Sequence, residues 1–262
     1  MFLLNIYKLI DLAKTAALNA GYEILKDYKK DLQVKNKIDG SPVTLADKKS
    51  HKLICEILKP SKITIVSEEG DCLHIDSKKY WLIDPLDGTK DFIAGNDEFT
   101  VNIALIISGV PVLGVVYAPA KNLLFWGAVE IGSYFQSGEN IQTLKEYPKS
   151  KSLKMAVSRF HKHDDTSLFA KANNVHIEIP IGASLKYCFL ATAEVDVFPR
   201  LVGSSEWDVA AGHAILNAIG GKVLDWHTGK ELKYGKLNRR NPRLISFRSS
   251  YAFPNPKESL AF

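Results

Sequence analysis

Residues 80–89 read Tyr80-Trp81-Leu82-Ile83-Asp84-Pro85-Leu86-Asp87-Gly88-Thr89. The first four residues are aromatic or aliphatic, which is typical of a buried β-strand. The strand ends at Asp84, and Asp87 follows three residues later, after a proline. Gly88 and Thr89 then allow the chain to turn into a helix. The stretch therefore predicts a strand that delivers two carboxylates to one edge of a sheet, followed by a helix.

Two carboxylates at the end of one strand can share a hard cation. Magnesium prefers oxygen ligands in octahedral geometry and is commonly held by a few carboxylates together with substrate phosphate. Gly88 lets the main chain approach a phosphate closely, and a helix that begins near Thr89 would direct free N–H groups at the same anion. A local alternative stays open at this point, because Asp-Pro-x-Asp-Gly is also typical of an Asx-turn with a helix cap.

Acidic residues elsewhere in the chain bear on this choice. Ser67-Glu68-Glu69 follows another β-branched run, Asp47 lies in a helical segment behind Thr44, and Trp207-Asp208 opens a late helix. Each has a local explanation of its own, since Asp47 and Asp208 fit capping boxes and Glu68-Glu69 fits a solvated turn. Taken together with Asp84 and Asp87, they favour the metal site.

The composition is that of an ordinary folded protein. The 262 residues are 46% hydrophobic and 24% charged, and the net charge of +5 at pH 7 fits an anionic ligand. The basic residues are scattered, without the dense block that typifies a nucleic-acid arm, so no nucleic-acid polymer is expected. Cys55, Cys72 and Cys188 lack disulfide or zinc spacing, which favours a reducing cytoplasm. We expect no signal peptide and no transmembrane segment, and peripheral association with the inner membrane stays open.

The hydrophobic pattern divides the chain into two parts. Helical spacing from Ile6 to Ile24 predicts a long first helix, and Thr44 caps a second one that ends before Pro60. Hairpin-like pairs between 99 and 144 predict a largely antiparallel sheet. Beyond a boundary near 148, strands at 155–158, 175–179, 195–198 and 222–225 alternate with helices at 166–172, 184–193 and 206–219. The sequence thus predicts an α+β fold, with a metal-binding domain at 1–148 and an α/β substrate-binding domain at 149–262.

Four segments, taken in order, resemble the inositol monophosphatase superfamily. They are Pro42-Val43-Thr44-Leu45-Ala46-Asp47, Val66-Ser67-Glu68-Glu69, Asp84-Pro85-Leu86-Asp87-Gly88-Thr89 and Trp207-Asp208-Val209-Ala210-Ala211-Gly212. The resemblance spans most of the chain, and signatures of this order and spacing are highly specific. It implies a layered αβαβα fold and a lithium-sensitive phosphatase with two to three Mg²⁺ ions between its halves.

The resemblance also implies roles for individual residues. The metal ligands would be Glu68, Asp84, the main-chain carbonyl of Leu86, Asp87 and Asp208. Thr89 and Asp47 would activate water, and Glu68 would join them in catalysis by helping to hold a third ion. Such a site matches the chemistry argued from the residues, because several metal ions acidify water and neutralise phosphate charge during in-line displacement.

Within this superfamily, segments 87–92, 96–105 and 114–119 are most similar to bacterial 3′(2′),5′-bisphosphate nucleotidases. That similarity implies removal of the 3′-phosphate from adenosine 3′,5′-bisphosphate to give AMP, in sulfur metabolism. The implied substrate contacts are Gly88, Thr89, Ser158, His161, Ser184, Lys186 and Arg200. Asp91 and Ala183 depart from that pattern, in which Glu and Ser are common, and a lost hydroxyl contact at Ala183 bears on substrate affinity.

Other functions stay open beside this one. Inositol-1-monophosphatase activity is the alternative and fructose 1,6-bisphosphatase activity a distant third, both with the same mechanism. A catalytically silent nucleotide-binding or magnesium-binding protein would be expected to lack one of the six residues Asp47, Glu68, Asp84, Asp87, Thr89 and Asp208, and all six are present. Arg159, His161 and Lys186, taken singly, also fit an exposed basic surface. The protein is expected to be a monomer or a homodimer.

Overall fold

The computed structural model describes residues 2–30, 35–36, 42–70, 77–147, 152–160 and 164–248. Its first elements are α1 (Phe2–Leu25), the ribbon of β1 (Lys35–Asn36) with β2 (Pro42–Val43), and α2 (Leu45–Leu58). α1 buries a stripe of aliphatic and small side chains from Ile6 to Ile24, as its helical spacing predicts. α2 begins at the capping box of Thr44 and Asp47, and the 3₁₀ turn Lys59–Ser61, which contains Pro60, ends it. Both predicted helices are confirmed.

A seven-stranded sheet forms the first half of the molecule. Its strands run in chain order across the sheet, with the first pair parallel and all other pairs antiparallel. They are β3 (Thr64–Ser67), β4 (Lys79–Asp87), β5 (Thr100–Ile107), β6 (Val110–Ala118), β7 (Leu123–Ala128), β8 (Gly132–Ser137) and β9 (Asn140–Leu144). The short helix α3 (Thr89–Ala94) follows β4, and a 3₁₀ turn at Pro119–Lys121 links β6 to β7. The predicted antiparallel sheet is therefore observed.

The second half contains a five-stranded mixed sheet and three helices. In chain order these are β10 (Lys154–Ser158), α4 (Asp164–Ala172), β11 (Ile177–Ile181), α5 (Leu185–Ala191), β12 (Val197–Arg200), α6 (Ala210–Asn217), β14 (Lys222–Asp225) and β16 (Leu244–Phe247). Two further strands, β13 (Ser204–Ser205) and β15 (Arg240–Asn241), form a separate ribbon. The order across the sheet is β11-β10-β12-β16-β14. The sequence predicts every one of these helices but not β16, which inserts antiparallel between β12 and β14.

Alternating side chains of both sheets enter different cores, and this alternation defines five layers. Trp81 and Ile83 pack under α1 and α2, whereas Tyr80 and Leu82 face α5 and α6 on the other side of β4. In the second sheet, alternate side chains of β10 and β12 pack against α5 and α6 on one face and against α4 on the other. The layers are helices, sheet, helices, sheet and helix, which confirms the predicted αβαβα arrangement.

The central helix α6 lies close to the first sheet at a pair of glycines. Gly114 and Gly127 face each other across β6 and β7, and a Cβ atom at Gly114 would collide with the main-chain oxygen of Ala211 on α6. One hydrophobic core therefore includes residues of both halves, from Val66 to Leu244. The division into domains at 1–148 and 149–262 stays a prediction. Within the described residues, no helix combines the length and apolar character needed to cross a membrane.

Candidate functional site

The end of β4 carries a β-bulge that brings two acids to the same face. Asp84 pairs with Asn102 of β5 and Asp87 pairs with Thr100, so three steps along β4 match two along β5. Without the extra residue, side chains three positions apart would point to opposite faces of the sheet. The bulge restores a common face, and Pro85 fits there because it has no N–H to donate to the ladder. Both predicted carboxylates therefore belong to one site.

Asp84 is the most buried acid of this site, at 1% exposure. Its Oδ1 accepts a hydrogen bond from the Leu86 main-chain N–H at 3.1 Å, which is the local turn that the sequence left open. Burial, followed by the negative charges of Glu68, Asp87 and Asp208, raises the pKa of Asp84 well above its ordinary value. The turn and the acidic cluster therefore coexist in one site.

Asp47 and Thr89 form a pair at the start of α3. Asp47 Oδ2 accepts from the main-chain N–H and the hydroxyl of Thr44, at 2.8 and 2.7 Å, and so completes the capping box of α2. Its other oxygen lies 3.4 Å from the Thr89 hydroxyl, which is also 3.4 Å from the Leu86 carbonyl oxygen. The same carboxylate thus serves as a helix cap and as the partner of Thr89.

Asp87 is held by two residues from other elements. Its Oδ2 lies 2.5 Å from the Ser184 hydroxyl and 3.2 Å from the amide nitrogen of Asn102. The Ser184 hydroxyl is also 2.6 Å from the main-chain oxygen of Asp208. Ser184, a predicted substrate contact, is therefore buried between two predicted metal ligands.

Asp208 lies just before α6 and pairs with a predicted substrate contact. Its Oδ2 accepts from the Arg200 guanidinium at 3.2 Å and from the Ser205 main-chain N–H at 3.0 Å. Burial raises the pKa of Asp208 to about 6, with Arg200 opposing this shift and Asp87 adding to it. In the described part of the chain, no three His, Cys, Asp or Glu side chains already converge as a ligand set. One oxygen of Asp87 and one of Asp208 each accept hydrogen bonds from protein donors.

A solvent-open cavity brings together residues from both halves. The predicted site residues that line it are Glu68, Asp87, Gly88, Thr89, Ser158, Lys186 and Arg200. Arg159 also lines it, but its guanidinium is engaged with Glu98 at 2.7 Å and with the carbonyl oxygen of Pro180 at 3.0 Å. The cavity is acidic along the end of β4 and basic along α5 and β12.

Lys186 is a nearly buried cation of this cavity, with 3% exposure. Its Nζ donates to the carbonyl oxygen of Ile181 at 3.0 Å. Burial, followed by the nearby Arg200 charge, lowers the pKa of Lys186 to about 8. Asp87, Asp91 and Glu98 oppose this lowering of the pKa, and an anion that entered the cavity would add to their effect.

A second cavity adjoins the first and shares Ser158 and Arg200 with it. Half of its lining residues are apolar, namely Val157, Phe198, Pro199, Leu201 and Val202, and Thr166, Ser167 and Glu178 add polar groups beside the shared Ser158 and Arg200. The Arg200 Nε atom is buried and has no hydrogen-bond partner among the described residues. Arg200 therefore stands between an ionic compartment and an apolar one.

Most predicted site residues are brought together, although not always as expected. His161 lies outside the described residues. Ser184 is buried away from the cavity lining, and Arg200 is paired with Asp208. The sequence interpretation did not assign roles to Thr100 and Asn102, whose signal was the presence of two polar residues in an otherwise apolar strand.

Comparison with known proteins gives a consistent result. The family model "Inositol monophosphatase family" matches residues 6–251. The 3′(2′),5′-bisphosphate nucleotidase CysQ of Salmonella typhimurium is 40% identical over 225 residues, covering 83% of this chain and 90% of that protein. The Nus factor SuhB of Pasteurella multocida is 33% identical over 252 residues, covering 90% and 92%.

The solved structures agree with the sequence relatives. The crystal structure of CysQ from Bacteroides thetaiotaomicron, described as a bacterial member of the inositol monophosphatase family, superimposes with a TM-score of 0.83 at 33% identity. It covers 93% of this chain and 98% of its own. The family predicted from the four motifs is thereby confirmed: this chain belongs to the inositol monophosphatase family.

Proposed function

We propose that the protein is a magnesium-dependent phosphomonoesterase that hydrolyses the 3′-phosphate of adenosine 3′,5′-bisphosphate to AMP and phosphate. The observation that carries this proposal is the two-sided cavity, in which the acids and Thr89 at the end of β4 face Lys186 and Arg200. The names of the nucleotidase relatives from Salmonella and Bacteroides support the same substrate class.

The fold family implies a divalent metal cofactor, and the donors present suit magnesium. All are oxygen atoms, and Asp84 is buried among three other acids whose charges raise its pKa, so bound cations would supply the missing counter-charge. The residues that would hold two to three ions are Glu68, Asp84, the Leu86 carbonyl, Asp87 and Asp208. Bound magnesium would acidify water and neutralise phosphate charge.

Thr89 and Asp47 would take a proton from the attacking water. The Thr89 hydroxyl can donate its proton to Asp47 Oδ1, 3.4 Å away, while its oxygen accepts one from water. The resulting hydroxide attacks phosphorus in line, and the P–O bond to the ribose 3′ oxygen breaks with its electrons going to that oxygen. The leaving oxygen takes up a proton through solvent, and the proton held by Asp47 returns to solvent, so that a 3′-hydroxyl and phosphate are formed.

The basic side of the cavity suits the second phosphate of the substrate. Lys186 and Arg200 provide two cations within one compartment, and Gly88 allows close approach of the main chain to the reacting phosphate. The adjoining apolar cavity past Arg200 is of a kind that accepts a nucleoside base better than a polyhydroxylated ring. Ser158, at the junction of the two cavities, and His161 remain proposed nucleotide contacts.

A comparison of two substrates tests the proposal. Phosphate release would be measured from adenosine 3′,5′-bisphosphate and from inositol 1-phosphate, with Mg²⁺ and with a chelator. We expect higher kcat/KM for the nucleotide and no turnover with the chelator. Preference for inositol 1-phosphate would instead support inositol-1-monophosphatase activity.

The variant Arg200→Met sharpens this test. Loss of a charge-assisted contact should raise KM for the nucleotide about tenfold more than KM for inositol 1-phosphate. The altered pairing of Asp208 affects both substrates alike, so only the difference between them reports on the second phosphate. Equal increases in both KM values would reject the role of Arg200 in binding that phosphate.

A further inference from the structure

Strand β5 contains two buried polar side chains that its place in the core does not require. Thr100 is fully buried and Asn102 is 1% exposed, although the rest of the strand is apolar. Burial of polar groups is unfavourable unless their hydrogen bonds are made. Here Thr100 donates to Asn102 Oδ1 at 3.0 Å, which leaves the Asn102 amide nitrogen facing Asp87 and Ser184.

Ser184 is equally unusual for its position. It stands at the N-cap of α5, where a serine hydroxyl normally accepts from the first turn of the helix. Its side chain makes no such capping bond. Instead the Asn102 amide donates to Ser184 Oγ at 2.9 Å, and that oxygen lies 2.5 Å from Asp87 Oδ2 and 2.6 Å from the Asp208 main-chain oxygen. The Ser184 hydroxyl therefore contacts groups of the candidate site and does not cap the helix.

This arrangement connects acids that come from different halves of the chain. Asp87 ends β4 in the first sheet, and Asp208 precedes α6 in the second half. The Ser184 hydroxyl contacts the side chain of one and the main chain of the other, so it fixes how far apart they lie. Asn102 fixes the hydroxyl in turn, because its amide donates to both Ser184 and Asp87.

We propose that Asn102 and Ser184 are positioning residues that set the separation of Asp87 and Asp208 for the divalent ion that these two acids share. This inference rests on the proposed function, since it assumes that both acids bind metal. It assigns Ser184 a role between the ligands in place of the predicted contact with substrate.

The test measures metal binding without substrate. Mn²⁺ would be titrated into the full chain, and the free ion would be followed by electron paramagnetic resonance. We expect Ser184→Ala and Asn102→Leu each to weaken Mn²⁺ binding about 10- to 100-fold, as is usual when the partner of a metal ligand is removed. The double variant should lose less than the product of the single losses, because both residues act on the same carboxylate. KM for the nucleotide at saturating Mg²⁺ should change less than Mn²⁺ affinity does.

Ser133→Ala is the matched control. Ser133 is also fully buried, and its hydroxyl donates to the main-chain oxygen of Ile215 at 2.7 Å, again between residues from the two halves. Ser133→Ala should lower thermal stability in the same way, by removing a buried hydrogen bond between the two halves. It should leave Mn²⁺ affinity within about twofold of wild type. Ser184→Cys keeps the shape of the site with a weaker donor and should show an intermediate loss, which guards against misfolding of the alanine variant.

The outcomes separate this inference from the proposed function. Wild-type Mn²⁺ affinity in Ser184→Ala, Ser184→Cys and Asn102→Leu would overturn the positioning role and leave the phosphatase proposal standing. A wild-type protein that neither binds Mn²⁺ nor releases phosphate would overturn both. A similar loss of Mn²⁺ affinity in Ser133→Ala would show that general destabilisation causes the loss in all these variants. That result would also reject the positioning role.

Discussion

At the scale of single residues, Asp47 shows why local and functional interpretations need not exclude each other. One oxygen of its carboxylate completes the capping box with Thr44, and the other faces the hydroxyl of Thr89. The carboxylate has two acceptor atoms, so one can complete the helix cap while the other accepts from Thr89. The cap also holds the side chain in place, which is what proton transfer requires of a base.

Thr89 allows this pair to be tested with very small changes. Thr89→Val removes the hydroxyl and keeps the branched shape, so we expect kcat to fall about 10²- to 10⁴-fold, the usual contribution of a positioned acid or base. Thr89→Ser keeps the hydroxyl and should retain kcat within about tenfold. Both variants would be assayed at saturating Mg²⁺ and nucleotide, with Tm measured in parallel. Full activity in Thr89→Val would remove this residue from the proton path.

At the scale of elements, the position of α6 determines where Asp208 stands. The helix rests on β6 and β7 at Gly114 and Gly127, where the absence of side chains permits close approach. Ser133 then bonds the carbonyl oxygen of Ile215 in the same helix. Because Asp208 lies two residues before α6, the close approach of the helix at the two glycines brings an acid of the second half towards those at the end of β4.

Gly114→Ala should disturb that contact. The new methyl group would meet the main-chain oxygen of Ala211, which cannot rotate away as a side chain could. We expect a loss of at least about 2 kcal/mol in the free energy of unfolding, in the range of overpacked cores. Urea unfolding monitored by tryptophan fluorescence would measure it.

Gly203→Ala provides the comparison for this prediction. Among the described residues other than its two chain neighbours, no atom lies within 4 Å of a Cβ placed at Gly203, so Gly203→Ala should change stability by no more than about 0.5 kcal/mol. If Gly114→Ala were equally stable, α6 would have to pack against the sheet less closely than the structure indicates.

At the scale of the whole molecule, a buried histidine couples the stability of the core to pH. His213 of α6 is fully buried, between the Tyr234 hydroxyl at 3.0 Å and the Glu231 carboxylate at 3.4 Å. Burial lowers the pKa of His213, whereas the hydrogen bond from His213 lowers the pKa of Glu231 to about 2. Full burial of the imidazole, against partial exposure of Glu231, favours a neutral His213 in the native state.

The sign of the pH effect follows from proton binding. Below about pH 6.5 the unfolded chain takes up a proton at His213 that the native state resists, so stability is present above this pH and is lost as pH falls. Glu231 acts in the same direction, because its contribution is present above its ordinary pKa and is lost as pH falls towards 2. Both groups therefore favour unfolding in acid.

His213→Gln should flatten this dependence. We expect the variant to be less stable than wild type at pH 7.5, yet to lose less stability between pH 7 and pH 5, by up to about 1.4 kcal/mol per pH unit. Urea unfolding of both proteins across this range, without added metal, would give the two slopes. The raised pKa values of Asp84 and Asp208 affect both proteins equally, so their contribution cancels in the comparison. Parallel slopes would show that His213 does not control the acid sensitivity.

Much of the fold could be predicted because its signals are local. The helical spacing of α1, the capping box of α2 and the hydrophobic run of β4 each depend on residues close in sequence. β16 was not predicted because a strand of only four residues after a polar segment shows little periodicity. Its place between β12 and β14 depends on residues that are distant in sequence.

The sequence by itself determined the family, the identity of the acids and the strands that carry them. Only the tertiary structure decided how these acids meet. The bulge that puts Asp84 and Asp87 on one face depends on the register with β5, and Ser184 contacts Asp87 across 97 positions of the chain. Arg200 likewise faces both a cavity and Asp208. Propensities and caps act over about one helical turn, whereas register, burial and charge pairing depend on residues that become neighbours only when both sheets pack on α6.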